Sequence, residues 1–282
     1  MQNRLLNAIR AQASALTKHE ARIAAYLSAR PEAIAVESGA ALAEKIGVSP
    51  MTLTRFFRKL GFDSAAAARE SVKDDLYGPR ASRIASRFES YKASRTRSDD
   101  TDLSMAGIAL GKAMALRRTD AWAEIVRLTA EADMVYVAGF QSMRYLADGL
   151  CQRLRYVRNN VTPLDTVDGV FGNMFTDQVS RKTLIMIDNF RYAAEGPLLL
   201  GTAAEAGIDV VFFCDEFCDW AKDQTPHVVV LPNESSFFMG MPVGLHFALN
   251  LLIQDVIAAL GARVDGHMEI LSRIQDALGQ FL

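Results

Sequence analysis

Between Ser38 and Gly61 the chain reads SGAALAEKIGVSPMTLTRFFRKLG, and nearly every position in that stretch suits one geometry, two short helices joined by a tight turn. Ser38 can cap a first helix whose inner face is Leu42, Ala43 and Ile46. Gly47 supplies the positive φ that the turn needs, and Val48 plugs the space beneath it. Ser49-Pro50 opens the second helix with a hydroxyl cap followed by a proline at the first turn, where no backbone donor is lost. Leu53, Phe56, Phe57 and Leu60 form its inner stripe, and Gly61 ends it. Ala43 is small enough for the two helices to approach closely. The pattern is a helix-turn-helix.

What remains on the outer face of the second helix is Ser49, Met51, Thr52, Thr54, Arg55, Arg58 and Lys59, with no acidic residue among them. Where such a helix enters a major groove by its N-terminal part, Met51, Thr52 and Arg55 meet base edges, with Ser49 and Thr54 at the margin. Arg58 and Lys59, one turn on, would meet phosphates and add a salt-sensitive, sequence-independent attraction. The charge distribution agrees. Residues 1–98 hold 17 Lys and Arg against 9 Asp and Glu, whereas residues 99–282 hold 14 against 24. That asymmetry, hidden in a net charge of −2, points to a polyanionic partner for the N-terminal third, namely double-stranded DNA. The competing reading is a plain helical hairpin with a solvated basic face.

Around this motif the first eighty residues carry helix signals only. Thr17-Lys18-His19-Glu20 is a capping box that opens a helix with Ile23, Ala24 and Leu27 on one face, closed by Pro31. From residue 78 to 102 the text turns to Gly-Pro, Ser and Arg with little apolar periodicity, which predicts a basic linker between a helical domain (1–77) and a second domain (103–282). In the second domain, helical stretches over roughly 103–116 and 119–131 precede the run Met134–Gly139. Similar runs recur at Leu184–Ile187, Val210–Phe213 and Val228–Leu231, separated by amphipathic stretches such as 143–156 and 195–206. Continuous apolar strands alternating with helices predict a doubly wound parallel sheet, an α/β domain behind an all-α one. The last forty residues return to helix, with Leu245, Leu249, Leu252, Val256 and Leu260 on one stripe.

Several classes of protein are disfavoured. Cys151, Cys214 and Cys218 form no CxxC pair and leave an odd cysteine, which argues for a reducing, cytoplasmic compartment rather than a disulfide framework. Arginines interrupt the N-terminus and no apolar stretch is expected to span a bilayer, so neither export nor a membrane is predicted. His19, His227, His246 and His267 are scattered singly, without metal-ligand spacing or a nucleophile partner, so no metal and no cofactor is expected. Glu195 and His246 are the best candidates for proton transfer in an enzymatic reading, each with a structural alternative.

With LTKHEARIAAYL, LAEKIGVSPMTLTRFFRKLGF and ARESVKDDL in that order and spacing, the chain resembles the RpiR family of bacterial transcriptional regulators, in which a helix-turn-helix precedes a sugar isomerase (SIS) domain. The resemblance implies a homodimer or homotetramer that binds an operator and responds to a small anionic metabolite, typically a phosphosugar. It places the first ligand loop at Gly139-Phe140-Gln141-Ser142, one residue shorter than the family's, where a glycine turn into a helix can hold an anion. It places the second at Asp188-Asn189-Phe190-Arg191, where the family's hydroxyls are replaced, an aspartate would repel a phosphate, and Arg191 can grip a carboxylate or offset the charge. Ser235 and Ser236 fall where SIS domains complete the pocket, as ligand donors or as caps of the following helix. Gly139, Gln141, Ser142, Asn189, Arg191, Ser235 and Ser236 are thus the candidate ligand residues. Two alternatives stay open: a SIS-like domain that only dimerises, and a sugar-phosphate isomerase.

Overall fold

The computed structural model describes residues 4–30, 33–77, 84–94, 99–164, 171–189, 192–218, 220–233, 235 and 237–279. The chain divides into two compact units, Met1–Thr96 and Arg97–Leu282.

The first unit is helical: α1 (Arg4–Gln12), α2 (Lys18–Ala29), α3 (Ala33–Val36), α4 (Gly39–Ile46), α5 (Pro50–Lys59), α6 (Ala65–Tyr77) and α7 (Ile84–Ser94). One apolar cluster holds α1 to α6 together. Leu5, Ile23, Leu27, Leu42, Leu53, Phe56 and Phe57 are each essentially inaccessible within it, and each such side chain contributes about 1.5–3 kcal/mol of burial. Pro31, expected to close α2, lies outside the described residues. Helix α7 falls inside the stretch expected to be a linker. Its reason is local: Phe88 stacks on Tyr91 at 6.2 Å, and Lys92 lies over the Phe88 ring at 5.2 Å while pairing with Glu89 at 2.5 Å. Such i,i+3 and i,i+4 pairs support a helix without an apolar face.

The second unit contains α8 (Asp99–Leu116), α9 (Asp120–Glu131), β1 (Met134–Gly139), α10 (Arg144–Leu154), β2 (Val161–Pro163), α11 (Gly172–Thr176), β3 (Lys182–Ile187), α12 (Glu195–Glu205), β4 (Asp209–Cys214), β5 (His227–Val230), α13 (Val243–Leu260) and α14 (Ala262–Leu278). The five strands are all parallel in the order β2-β1-β3-β4-β5. Strand pleating sends alternate residues to opposite faces. Val135, Val137, Ile185, Ile187, Val211 and Phe213 join the core under α9, α10 and α13, while Tyr136, Leu184, Met186, Val210 and Phe212 join the one under α12. Burial on both faces explains why the strand sequences are apolar throughout.

Helix α13 corrects one sequence expectation. At 18 residues with a mean hydropathy of 1.7 it is long and apolar enough to cross a bilayer, but half of it is buried in this domain. It packs on α8, α9 and α10, and Asp255 on it accepts from Trp122 Nε1 (2.8 Å) and from Arg117 (Nε, 2.9 Å). The terminal helix is also two helices, parted at Gly261 (φ 55°).

Candidate functional site

In the helix-turn-helix, Ser38 Oγ accepts from Ala41 N at 3.2 Å and starts α4. Gly47 takes φ 72°, ψ 44°, and the amide of Val48 donates to Ala43 O at 2.9 Å, closing the left-handed C-terminal turn. Behind this turn Arg22 Nη2 donates to Ile46 O at 2.5 Å, so that a Cβ on Gly47 would lie 2.7 Å from that nitrogen. Ser49 Oγ accepts from Thr52 N at 3.1 Å and Pro50 follows as the first residue of α5.

With its inner stripe buried, α5 presents Met51 (60% exposed), Arg55 and Arg58 outward. Arg55 has no side-chain partner among the described residues, and Arg58 makes one marginal contact, Nε to Asp63 O at 3.5 Å. The hydroxyls are engaged locally: Ser49 Oγ and Thr52 Oγ1 are 2.9 Å apart, and Thr54 Oγ1 donates to Pro50 O at 3.0 Å.

Lys59 departs from the expected phosphate contact. Its ammonium donates to Ala15 O at 2.6 Å and to Glu20 Oε2 at 2.7 Å, pinning α5 to the start of α2. Lys59 holds the Glu20 carboxyl below the usual carboxylate range, helped by the Thr17 amide. Arg69 is used in the same way, donating to Ile34 O at 2.9 Å and to Glu37 O. Three of the basic residues behind the N-terminal surplus, Arg22, Lys59 and Arg69, are thus fasteners within the domain. Their composition gives no sign of it; only the capping-box glutamate, already committed to α2, marks a place where a cation is wanted.

The second unit has its topological switch point between β1 and β3, whose outgoing connections run to opposite sides, and open α/β sheets bind ligands in the crevice outside the strand ends there. The loops after β1 and β3 do meet, since Phe140 N donates to Ile187 O at 3.3 Å. This sets Gly139, Gln141, Ser142 and Asn189 on adjacent loops at that end of the sheet. Gly139 is architectural: an added Cβ would lie 2.7 Å from Ala147 Cβ and 2.7 Å from Met143 O. Gln141 and Ser142 are exposed, with Gln141 in the left-handed region at φ 47°. Asn189 is buried. Arg191 and Ser236 lie outside the described residues. Ser235 follows β5, two strands from β3, and it cannot cap the next helix, which begins at Val243. Glu195 and His246, the enzymatic candidates, are both exposed on different helices, α12 and α13.

The feature that sequence reasoning undervalued is Asp188. Only 3% exposed, it accepts from the amides of Asn189 and Ala193, each at 2.9 Å. Its side chain thus occupies two backbone donors of this loop. Burial pushes its carboxyl up to about 7, the Ala193 and Asn189 amides oppose that rise, and the charges of Asp215 and Glu195 add to it. Asp215, at the end of β4, is fully buried and accepts from the Tyr192 hydroxyl and from Phe217 N at 3.2 Å.

Residues 3–74 match the family model of the helix-turn-helix domain of the rpiR family. That stretch, α1 to α6, is similar to the DNA-reading domain of that family. No curated protein matches it closely enough to count as a relative. Among solved structures, the NanR protein of Vibrio vulnificus, complexed with ManNAc-6P, is similar over 97% of this chain and 98% of its own, at 16% identity and TM-score 0.58. The sugar isomerase domain of an RpiR transcription factor from Sphaerobacter thermophilus covers 61% of this chain and 97% of its own, at 20% identity and TM-score 0.54. At such identities the likeness is one of fold: a helix-turn-helix unit followed by a parallel-sheet α/β domain.

Proposed function

We propose that the chain is a cytoplasmic transcriptional regulator, not an enzyme, which binds operator DNA as a homodimer or homotetramer. Helix α5 enters the major groove, with Met51, Thr52 and Arg55 at base edges, Ser49 and Thr54 at the margin and Arg58 on the phosphate backbone. The observation that carries this reading is the outer face of α5, where Met51, Arg55 and Arg58 stand exposed on a helix fixed by capped ends and a buried stripe. The second domain senses a small anionic metabolite through Gly139, Gln141, Ser142 and Asn189 beside the switch point, with Arg191, Ser235 and Ser236 as the further candidate contacts. The ManNAc-6P bound by NanR supports the class of ligand. Binding acts by favouring one arrangement of the paired DNA-reading domains, which requires different affinities for the two arrangements.

Selection of bound fragments from a random DNA pool tests the first half. A recurring two-fold motif is expected, and on that motif Arg55→Ala loses about 1–3 kcal/mol of discrimination, whereas Arg58→Ala weakens all sequences alike and lowers the salt slope by about one. Equal loss on every sequence from Arg55→Ala would refute its base contact. Asp188 favours a second reading, in which the second domain is blind to ligand and serves to dimerise. A metabolite panel separates the two, because specific binding to the native state raises its unfolding midpoint.

A further inference from the structure

The end of the sheet opposite the switch point, where β1, β2 and β3 begin, carries an open cleft of about 540 Å³ between the end of α9, the 157–160 turn, Arg181 and α14. That volume falls within the range of metabolite pockets. Its charges do not cancel. Of the acids that line it, Glu131 is paired with Arg127 at 2.9 Å and Asp133 with Arg181 at 3.0 Å. Arg158 and Arg263 remain, neither of them in a close ion pair among the described residues, although Asp133 acts on Arg158 from farther off.

Arg158 is held rigidly. Three of its donors go to backbone carbonyls, Nε to Asn159 O at 3.1 Å, Nη2 to Ala132 O at 2.5 Å, and Nη1 to Thr129 O, so the guanidinium closes the C-terminal end of α9. A guanidinium has five N–H groups, so two are left over. Arg263 is exposed on the first turn of α14 and makes one long bond, Nε to Leu260 O at 3.3 Å. The two cations feel one another, since burial first and then Arg263 push Arg158 below its usual value. Like charges facing one concavity are a cost to the free protein that a bound anion removes. His267 borders the same space, its ring fixed by Nε2 at 2.9 Å from Arg155 O.

We propose that this cleft is an anion site separate from the switch-point crevice, taking a small, multiply charged oxyanion between Arg158 and Arg263. The fork geometry of two guanidiniums suits phosphate or paired carboxylates. The site stands independently of the regulator reading, because its binding is measured on the chain without DNA.

Pyrophosphate, titrated by calorimetry into the full chain at constant ionic strength, is the probe. Saturable binding is expected. Arg263→Gln, at an exposed position with one weak bond, weakens it by about ten- to a hundredfold, the weight of a charge-assisted hydrogen bond. Gly266→Glu is the second variant: no atom lies within 4 Å of its added Cβ, so the helix accommodates it while a carboxylate enters the cleft. It abolishes binding, whereas Lys112→Gln, which removes an exposed cation of α8 outside the cleft, leaves it intact. The proposal is overturned if wild-type binding never saturates, if neither cleft variant changes it, or if Lys112→Gln weakens it as much as Arg263→Gln does. It is equally overturned if Arg263→Gln weakens random-sequence DNA binding while pyrophosphate does not bind, since the cleft would then be a nucleic-acid contact.

Discussion

Replacing Gly47 by alanine perturbs the turn of the DNA-reading motif in two ways that the structure separates. The residue sits at φ 72°, so any side chain carries left-handed strain of about 1–2 kcal/mol. The new Cβ would also lie 2.7 Å from Arg22 Nη2, the far end of a flexible side chain. Arg22 must swing away and give up its bond to Ile46 O, which costs roughly 1 kcal/mol at a half-buried site. Gly61, at φ 86° with nothing within 4 Å of its Cβ, supplies the control: Gly61→Ala carries strain alone. The expected losses are about 2–3 kcal/mol for Gly47→Ala and about 1–2 for Gly61→Ala. Both tryptophans, Trp122 and Trp220, belong to the second unit. Tryptophan fluorescence in urea therefore follows the second unit alone and should not move, while helical circular dichroism follows both units, so that the first unit's loss is the shift in circular dichroism that fluorescence does not share. In an Arg22→Ala background the extra cost of Gly47→Ala should vanish. If the two glycine variants cost the same in wild type, or the excess persists without Arg22, the reasoning is wrong.

Asp188 yields a pH prediction. Its carboxyl is raised from 3.8 to about 7, so the folded chain keeps a proton that the unfolded chain releases, and stability is lost as pH rises across that window. The ceiling is about 4 kcal/mol at 1.36 kcal/mol per pH unit. Asp188→Asn should flatten the second unit's fluorescence-detected stability between pH 4 and 7, and an unchanged slope would reject the buried carboxyl as its source. Lys59→Ala should destabilise the first unit by roughly 1 kcal/mol and leave the salt slope of DNA binding untouched, in contrast to Arg58→Ala. The Lys59–Glu20 contribution is present above the ordinary Glu20 value of 4.5 and fades as pH falls through the lowered folded one. A reduced salt slope for Lys59→Ala would return that residue to the DNA.

The helix-turn-helix was readable because its determinants are local. Ser38, Gly47 and Ser49-Pro50 each act on their own turn, and the Thr17–Glu20 capping box forms as its spacing requires. Four strands were readable as apolar runs, but β2 was not: Val161-Thr162-Pro163 is three residues long at a sheet edge, too short to show a pattern. The helix at Ile84–Ser94 was hidden because side-chain pairs rather than an apolar stripe support it. The functions of Lys59 and Asp188 were hidden for another reason. Each is decided by a partner that folding brings close, Glu20 from 39 positions away for the lysine and the amide of Ala193 across a loop for the aspartate. A formal charge says nothing about which neighbour has already claimed it.

Helix α13 has a consequence for how the chain is made. Its length and hydropathy would suit a bilayer, and uncovered it would be a sticky rod prone to capture by membranes or by other nascent chains. The elements that sheathe it, α8, α9 and α10, all come earlier in the sequence, as do the five strands. Because synthesis runs from the N-terminus, every segment of the receiving surface has been made before α13 leaves the ribosome. Moving that segment ahead of the sheet by circular permutation would keep every native contact and reverse the order, and the permuted chain should aggregate during expression while refolding normally from urea.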